Sequence, residues 1–180
     1  MHGLILLADG FEDVEALAPR DLLIRAGVKV TTASISNFIN VTTSHGVLLN
    51  ADILLSEVNS NSYDFVILPG GGRGTQNLLK SKLVSEVVLE FAKEHKLICA
   101  ICAAPMVLAK LGLLHNKRYT CFAGCNEGLD GVFTGSEVEH DDNIITGRSM
   151  LYSVPFGLEI IKTLLGDEIK QKIYKQIEGK

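Results

Sequence analysis

Hydrophobic residues in this chain alternate between two patterns: short unbroken apolar runs, and longer stretches with apolar positions three and four apart. The runs are Gly3 to Ala8, Val28 to Ser34, Tyr63 to Leu68, Lys96 to Cys102 and Asn143 to Arg148. Runs of this length predict strands, and the most continuous of them predict strands buried on both faces of a parallel sheet. Between them, Val14, Leu17, Ala18, Leu22 and Leu23 recur at helical spacing over Asp13 to Ala26, with Asp13 as N-cap and Gly27 as the stop. Pro19 inside that segment predicts a kink or a late start. Further helices are expected over Thr75 to Leu79, Ser81 to His95, Val154 to Leu165 and Asp167 to Ile177. Ala103 to Lys110 reads as another, with Pro105 tolerated in its first turn. Asn37 to Asn50 suits a hairpin or edge strands, Tyr119 to Phe122 a short strand, and Gly124 to Gly135 a loop. Strands alternating with helices give an α/β sandwich with a mostly parallel sheet. Without an internal repeat or linker, residues 1–180 are expected to form a single domain.

In such folds, ligands and chemistry gather beyond the carboxyl ends of the strands. Three of those ends carry unusual residues: Asp9 to Glu15, Pro69 to Gly74, and Cys102. Cys102 stands where a strand turns into a helix with no polar loop between. The helix dipole and free backbone N–H groups there favour thiolate over thiol. The competing reading is a small buried hydrophobe. Glu15, among Val14, Ala16 and Leu17, is a candidate partner whose partial desolvation raises its pKa and lets it donate a hydrogen bond to the thiolate. The competing reading is a solvated acid complementing the helix dipole. Gly70 to Gly74 offers either an anion nest of backbone N–H groups or a tight structural turn. It matches neither the dinucleotide fingerprint nor a phosphate loop.

Composition narrows the function classes. The 180 residues are 47% hydrophobic and 21% charged, as in a compact protein with a real core. A net charge of -4 with no basic patch argues against nucleic-acid binding. The apolar run at the start is too short for a signal peptide or membrane span, and neither end carries a lipidation motif. A cytoplasmic protein with four free thiols is the expectation. Cys99-x-x-Cys102 and Cys121-x-x-x-Cys125 imitate a zinc-site count. Ala100 and Ile101, however, lie in an apolar strand, where zinc knuckles need a polar, glycine-bearing turn. The same geometry argues against a dithiol redox pair, and no metal or cofactor is expected.

Across nearly its full length the chain resembles the ThiJ/PfpI (DJ-one) superfamily, and within it the YajL-like and parkinsonism-associated deglycase branch. The resemblance rests on Leu7-Ala8-Asp9-Gly10-Phe11-Glu12-Asp13-Val14-Glu15, on Asp21 to Val30, on Leu68-Pro69-Gly70-Gly71 through Gln76-Asn77-Leu78, and on Ala100-Ile101-Cys102-Ala103-Ala104-Pro105. It implies a flavodoxin-like three-layer α/β/α sandwich, similar to class I glutamine amidotransferases, and a homodimer. It also implies Cys102 as an oxidisable nucleophile on a strained elbow, and Glu15 as its protonated partner. Gly70, Gly71 and Ala103 would supply oxyanion N–H groups, and Arg25 would line an anion pocket near the dimer interface. The chain departs from the pattern in four places. Ala103 replaces the histidine that follows the nucleophile in protease-like members, Phe122 a histidine of some relatives, His45 a second pocket arginine, and Ser149-Met150-Leu151 a Gly-Pro-Gly. Protease chemistry is therefore not expected. Two activities remain. One is cofactor-independent turnover of small reactive carbonyls or glycated protein, of the glyoxalase or deglycase type. The other is a redox-sensing stress chaperone whose Cys102 oxidises to sulfinic acid. Nothing in the residues points to the thiazole chemistry for which some members are labelled.

Overall fold

The computed structural model describes all residues from Met1 to Lys180. In chain order its elements are β1 (His2–Leu7), α1 (Asp13–Arg25), β2 (Lys29–Ser34), β3 (Asn40–Thr42), β4 (Leu48–Asn50) and β5 (Ile53–Leu54). Then come β6 (Phe65–Leu68), α2 (Gly72–Lys80), α3 (Lys82–Lys93), β7 (Leu97–Ile101), α4 (Pro105–Lys110) and β8 (Arg118–Tyr119). The chain finishes with β9 (Val132–Phe133), β10 (Val138–Asp141), β11 (Ile144–Gly147), α5 (Ser153–Leu165) and α6 (Asp167–Glu178). Seven strands form the main sheet in the order β10-β11-β7-β6-β1-β2-β5, parallel throughout except for β10.

Alternation along the central strands divides the core in two. Leu4, Leu6, Val66, Leu68, Ile98 and Ala100 face α2, α3 and α4 through Leu78, Val88, Phe91 and Leu108. Ile5, Leu7, Phe65, Ile67, Cys99 and Ile101 face α1, α5 and α6 through Leu23, Phe156, Ile161 and Ile173. With both faces covered, these strands can be continuously apolar, as expected for a parallel sheet in a three-layer sandwich. After β1 the chain moves to β2 on one side, then returns to β6 on the other. The carboxyl ends of β1 and β6 therefore flank the switch point at which open α/β sheets leave a crevice. No helix is long and apolar enough to cross a membrane.

Several local expectations need correction. Glu12, not Asp13, occupies the N-cap position of α1, without a side-chain cap, because the Asp13 carboxylate is turned to His45, 2.9 Å away. The helix runs through Pro19 from Asp13 onward, so there is no late start. Its buried face is Glu15, Ala16, Pro19, Leu22 and Leu23, whereas Val14 and Leu17 are 41% and 46% exposed. Apolar residues on both sides of the helix blurred its amphipathic pattern. α2 begins at Gly72, inside the glycine run. The strand expected over Tyr119 to Phe122 is only Arg118–Tyr119, paired with β9 outside the main sheet, because the Phe122 N–H leaves to bond the Cys102 carbonyl at 2.8 Å. The hairpin in Asn37 to Asn50 forms as β3 and β4. β5, β9 and β10 were not anticipated: β5 and β9 have two residues each, β9 within the expected loop, and β10 carries Glu139, His140 and Asp141 on an edge.

Candidate active site

The loops after β1 and β6 interlock at the switch point. Gly10 has φ +84° and Gly71 φ +86°, backbone that L side chains seldom adopt. A Cβ at Gly71 would sit 2.5 Å from the Gly10 carbonyl oxygen, so only glycine permits the crossing. Glu12 N–H donates to the Gly70 carbonyl at 3.2 Å, and Gly74 N–H to the Gly10 carbonyl at 3.0 Å. These bonds fix the first turn of α1 against the end of β6. Glu15, on the inner face of that turn, is fully buried, and its Oε2 accepts the Gly70 N–H at 2.8 Å.

Cys102 follows β7 directly and has φ +63°. A non-glycine residue there is strained by about 1–3 kcal/mol and persists only where its surroundings hold it. Both of its backbone groups are held: the N–H donates to the Gly147 carbonyl at 2.8 Å, and the carbonyl accepts from Phe122 N–H at 2.8 Å. The elbow turns the thiol out of the sheet toward the N–H groups of Gly71 and Ala103 and toward the Glu15 carboxyl.

Burial pushes the Glu15 carboxyl up to about 7, against the hydrogen bonds from Cys102 and Gly70 that favour its ionised form. Its second oxygen, Oε1, has no hydrogen-bond partner. Burial, then the facing Glu15 carboxylate, also push the Cys102 thiol up, with the Gly71 and Ala103 N–H groups pulling it down. The direction for Cys102 is opposite to the one expected from a helix dipole. The physical reason is the loss of water and the facing Glu15 carboxylate, which outweigh α4, a six-residue helix that starts three positions further on at Pro105. The two groups therefore act as one unit that loses a first proton near neutrality and a second far above it.

Of the expected site residues, Cys102, Glu15, Gly71 and Ala103 meet at this cleft of about 440 Å³. Gly70 adjoins it, but its N–H is committed to Glu15, so it positions the acid and offers nothing to an incoming oxygen. Arg25 is elsewhere: it ion-pairs with Asp21 at 2.6 Å on the exposed end of α1. His45 bonds Asp13 and lies 3.6 Å from Glu12 at the rim. Phe122, Met150 and Leu151 form the apolar side, joined by Cys125. Glu12 and Cys125 had no assigned role in the site; no local pattern marks them, since the Phe122-to-Cys102 backbone bond is what brings the Cys125 loop back. All four cysteines are free.

The family model described as DJ-1/PfpI matches residues 2–163. The chain is 38% identical over 167 residues to Protein DJ-1 homolog B of Arabidopsis thaliana, covering 92% of this chain but only 38% of that longer protein. It is 35% identical over 153 residues to a Pyrococcus abyssi protein named a deglycase, covering 82% of this chain and 90% of that one. The crystal structure of a DJ-1 superfamily protein from Salmonella typhimurium superposes with a TM-score of 0.92 at 33% identity, covering 99% of this chain and 96% of the other.

Proposed function

The chain belongs to the DJ-1/PfpI family, and from that premise we propose that it is a cysteine-dependent, cofactor-independent catalyst acting on small reactive carbonyls. The observation that carries this reading is the strained Cys102 elbow sharing a buried cleft with a carboxyl that titrates near 7. An acid near neutrality is suited to moving protons in both directions. The name of the Pyrococcus abyssi relative supports the substrate class.

In the proposed reaction, Cys102 Sγ attacks the aldehyde carbon of methylglyoxal, and its proton passes to Glu15 and from there to the carbonyl oxygen, giving a hemithioacetal and leaving Glu15 ionised. The N–H groups of Gly71 and Ala103 stabilise the oxyanion as it forms. Glu15 carries the C1 proton to C2 through an enediol, leaving a lactoyl thioester on Cys102. Water releases lactate and returns the thiol. With an adduct on a protein amine or thiol as substrate, the same attack detaches the carbonyl from its carrier. The protein works in the cytoplasm, as its free thiols suit. It acts as a homodimer, a pairing supported by the exposed apolar face of α1 at Val14, Leu17 and Ile24.

Lactate production from methylglyoxal by the purified protein tests the reading. It is expected to vanish in Cys102→Ala and to fall sharply in Glu15→Gln. No lactate, or the same rate in Cys102→Ala, refutes it. The unpartnered Glu15 Oε1 favours a second role for the same residues. Once Cys102 carries two oxygens, a protonated Glu15 could hydrogen-bond one of them and halt oxidation at the sulfinic stage. Peroxide titration followed by intact mass should then give a two-oxygen adduct on Cys102 ahead of the other cysteines, and the adduct should be lost in Glu15→Leu.

A further inference from the structure

One side of the cleft is more apolar than attack on a three-carbon aldehyde requires. Phe122, Met150 and Leu151 line it and are 48%, 48% and 74% exposed, an open hydrophobic wall beside the nucleophile. Isolated exposed apolar residues are ordinary, but a contiguous patch at the mouth of a reactive site marks a ligand surface. The wall is rigid. Met150 lies in a short turn over Met150–Tyr152, whose Met150 carbonyl accepts from Ser153 Oγ at 2.8 Å. Phe122 is tied to Cys102 through its N–H. A cleft of about 440 Å³ falls within the range of pockets that enclose drug-sized molecules and far exceeds what methylglyoxal fills.

Charge narrows the ligand further. Glu12 and Glu15 are the only ionisable residues other than cysteines lining the cleft, and no lysine or arginine does. Arg148, next to the wall in sequence, turns its guanidinium away, onto the Gly135 carbonyl at 3.0 Å and over the Tyr152 ring. An anionic substrate would meet carboxyl groups with no lysine or arginine in the lining, and the imidazole at the rim, His45, is engaged by Asp13 at 2.9 Å.

We infer that the cleft selects uncharged 2-oxoaldehydes whose ketone carries a bulky apolar group, seated on Phe122, Met150 and Leu151, over methylglyoxal itself. The inference rests on the carbonyl reading above. For an aryl substituent the balance is phenylglyoxal plus water giving mandelate. Attack again forms the hemithioacetal on Cys102, the C1 proton moves to C2, and water cleaves the thioester.

The test has two arms on the full chain. In the first, kcat/KM is measured for phenylglyoxal and methylglyoxal. A preference of about tenfold or more for the aryl compound is expected, the scale of discrimination an apolar subsite can supply. Leu151→Ser, at an exposed position where folding is not at stake, should cut the phenylglyoxal-to-methylglyoxal ratio several-fold. In the second arm, Cys102 alkylation by iodoacetamide, N-benzyl iodoacetamide and iodoacetate is followed by peptide mass, each rate divided by that of free glutathione. The benzyl reagent should gain about tenfold over iodoacetamide, and iodoacetate should lose about as much. Turnover with a ratio of one or less, or a ratio indifferent to Leu151→Ser, overturns the selectivity and leaves the carbonyl reading standing. No turnover on either aldehyde overturns the carbonyl reading and with it the aldehyde substrate class. The alkylation series then decides the apolar, charge-excluding cleft alone, and equal normalised rates overturn that too.

Discussion

Replacing Glu15 by Gln keeps the side chain's shape and an acceptor for the Gly70 N–H while removing the ionisable group. A carboxyl at about 7 in the fold, against an ordinary value of 4.5, binds its proton more tightly when folded. The stabilisation is therefore fully present below about 4.5, is lost as pH rises through about 7, and is constant beyond that. At about 1.4 kcal/mol per tenfold change in proton affinity, the displacement corresponds to about 3 kcal/mol. Wild type should thus lose about 3 kcal/mol relative to Glu15→Gln between about pH 4 and about pH 8, measured as urea unfolding free energies of both proteins. Constant costs of the variant, such as an amide placed where Oε1 has no partner, cancel in the difference between the curves. Titrating groups that do not face Glu15 cancel with them; Cys102, coupled to Glu15, does not, so the difference reads the pair. A difference that stays flat to within about 1 kcal/mol refutes the buried, proton-retaining Glu15. The curve counts protons without locating them. Ultraviolet thiolate absorbance of wild type over the same range finds the remaining proton: a rise near neutrality puts it on the carboxyl, and no rise keeps it on Cys102.

Substitutions at four further positions probe the scaffold, each by urea unfolding. Cys102→Gly should be more stable than Cys102→Ala by about 1 kcal/mol, because φ +63° strains alanine and not glycine; equal stability would mean the elbow is unstrained. A Cβ at Gly70 would lie 2.7 Å from Glu15 Oε2 and 2.8 Å from Cys102 Cβ, so Gly70→Ala should cost about 1–3 kcal/mol and also lower lactate formation. A Cβ at Gly72 meets nothing, so Gly72→Ala should be neutral or stabilising by up to about 1 kcal/mol. Thr75 Oγ1 is buried without a partner, and Thr75→Val should therefore stabilise by about 1 kcal/mol; destabilisation would show that the hydroxyl is satisfied.

The central strands are legible in the sequence because burial on both faces demands unbroken apolar runs, and nothing else in the chain imitates that pattern. β5 and β9 are not, since two residues are too few to display a period. α1 misleads for a physical reason. Its inner face has to present a carboxylic acid to the cleft, while its outer face carries Val14, Leu17 and Ile24, so hydrophobicity ranks its faces wrongly. The position of Cys102 could be read because a strand-to-helix junction is a local pattern. Its protonation could not, because that depends on Glu15 and Gly71, which only the interlocked glycine loops bring to it. A dipole argument uses the nearest helix in sequence and points toward thiolate. The facing carboxyl and the loss of water act on the same sulfur from elements distant in sequence, and they outweigh a six-residue helix. Arg25 lies outside the cleft: its guanidinium pairs with Asp21 one turn away, at the end of α1 beside Lys172, Lys175 and Lys180. Within one chain, the polar groups that act on Cys102 are the Gly71 and Ala103 N–H groups and the Glu15 carboxyl, a set that can move a proton and cradle an oxyanion, in a cleft that no lysine or arginine lines to hold an anionic substrate.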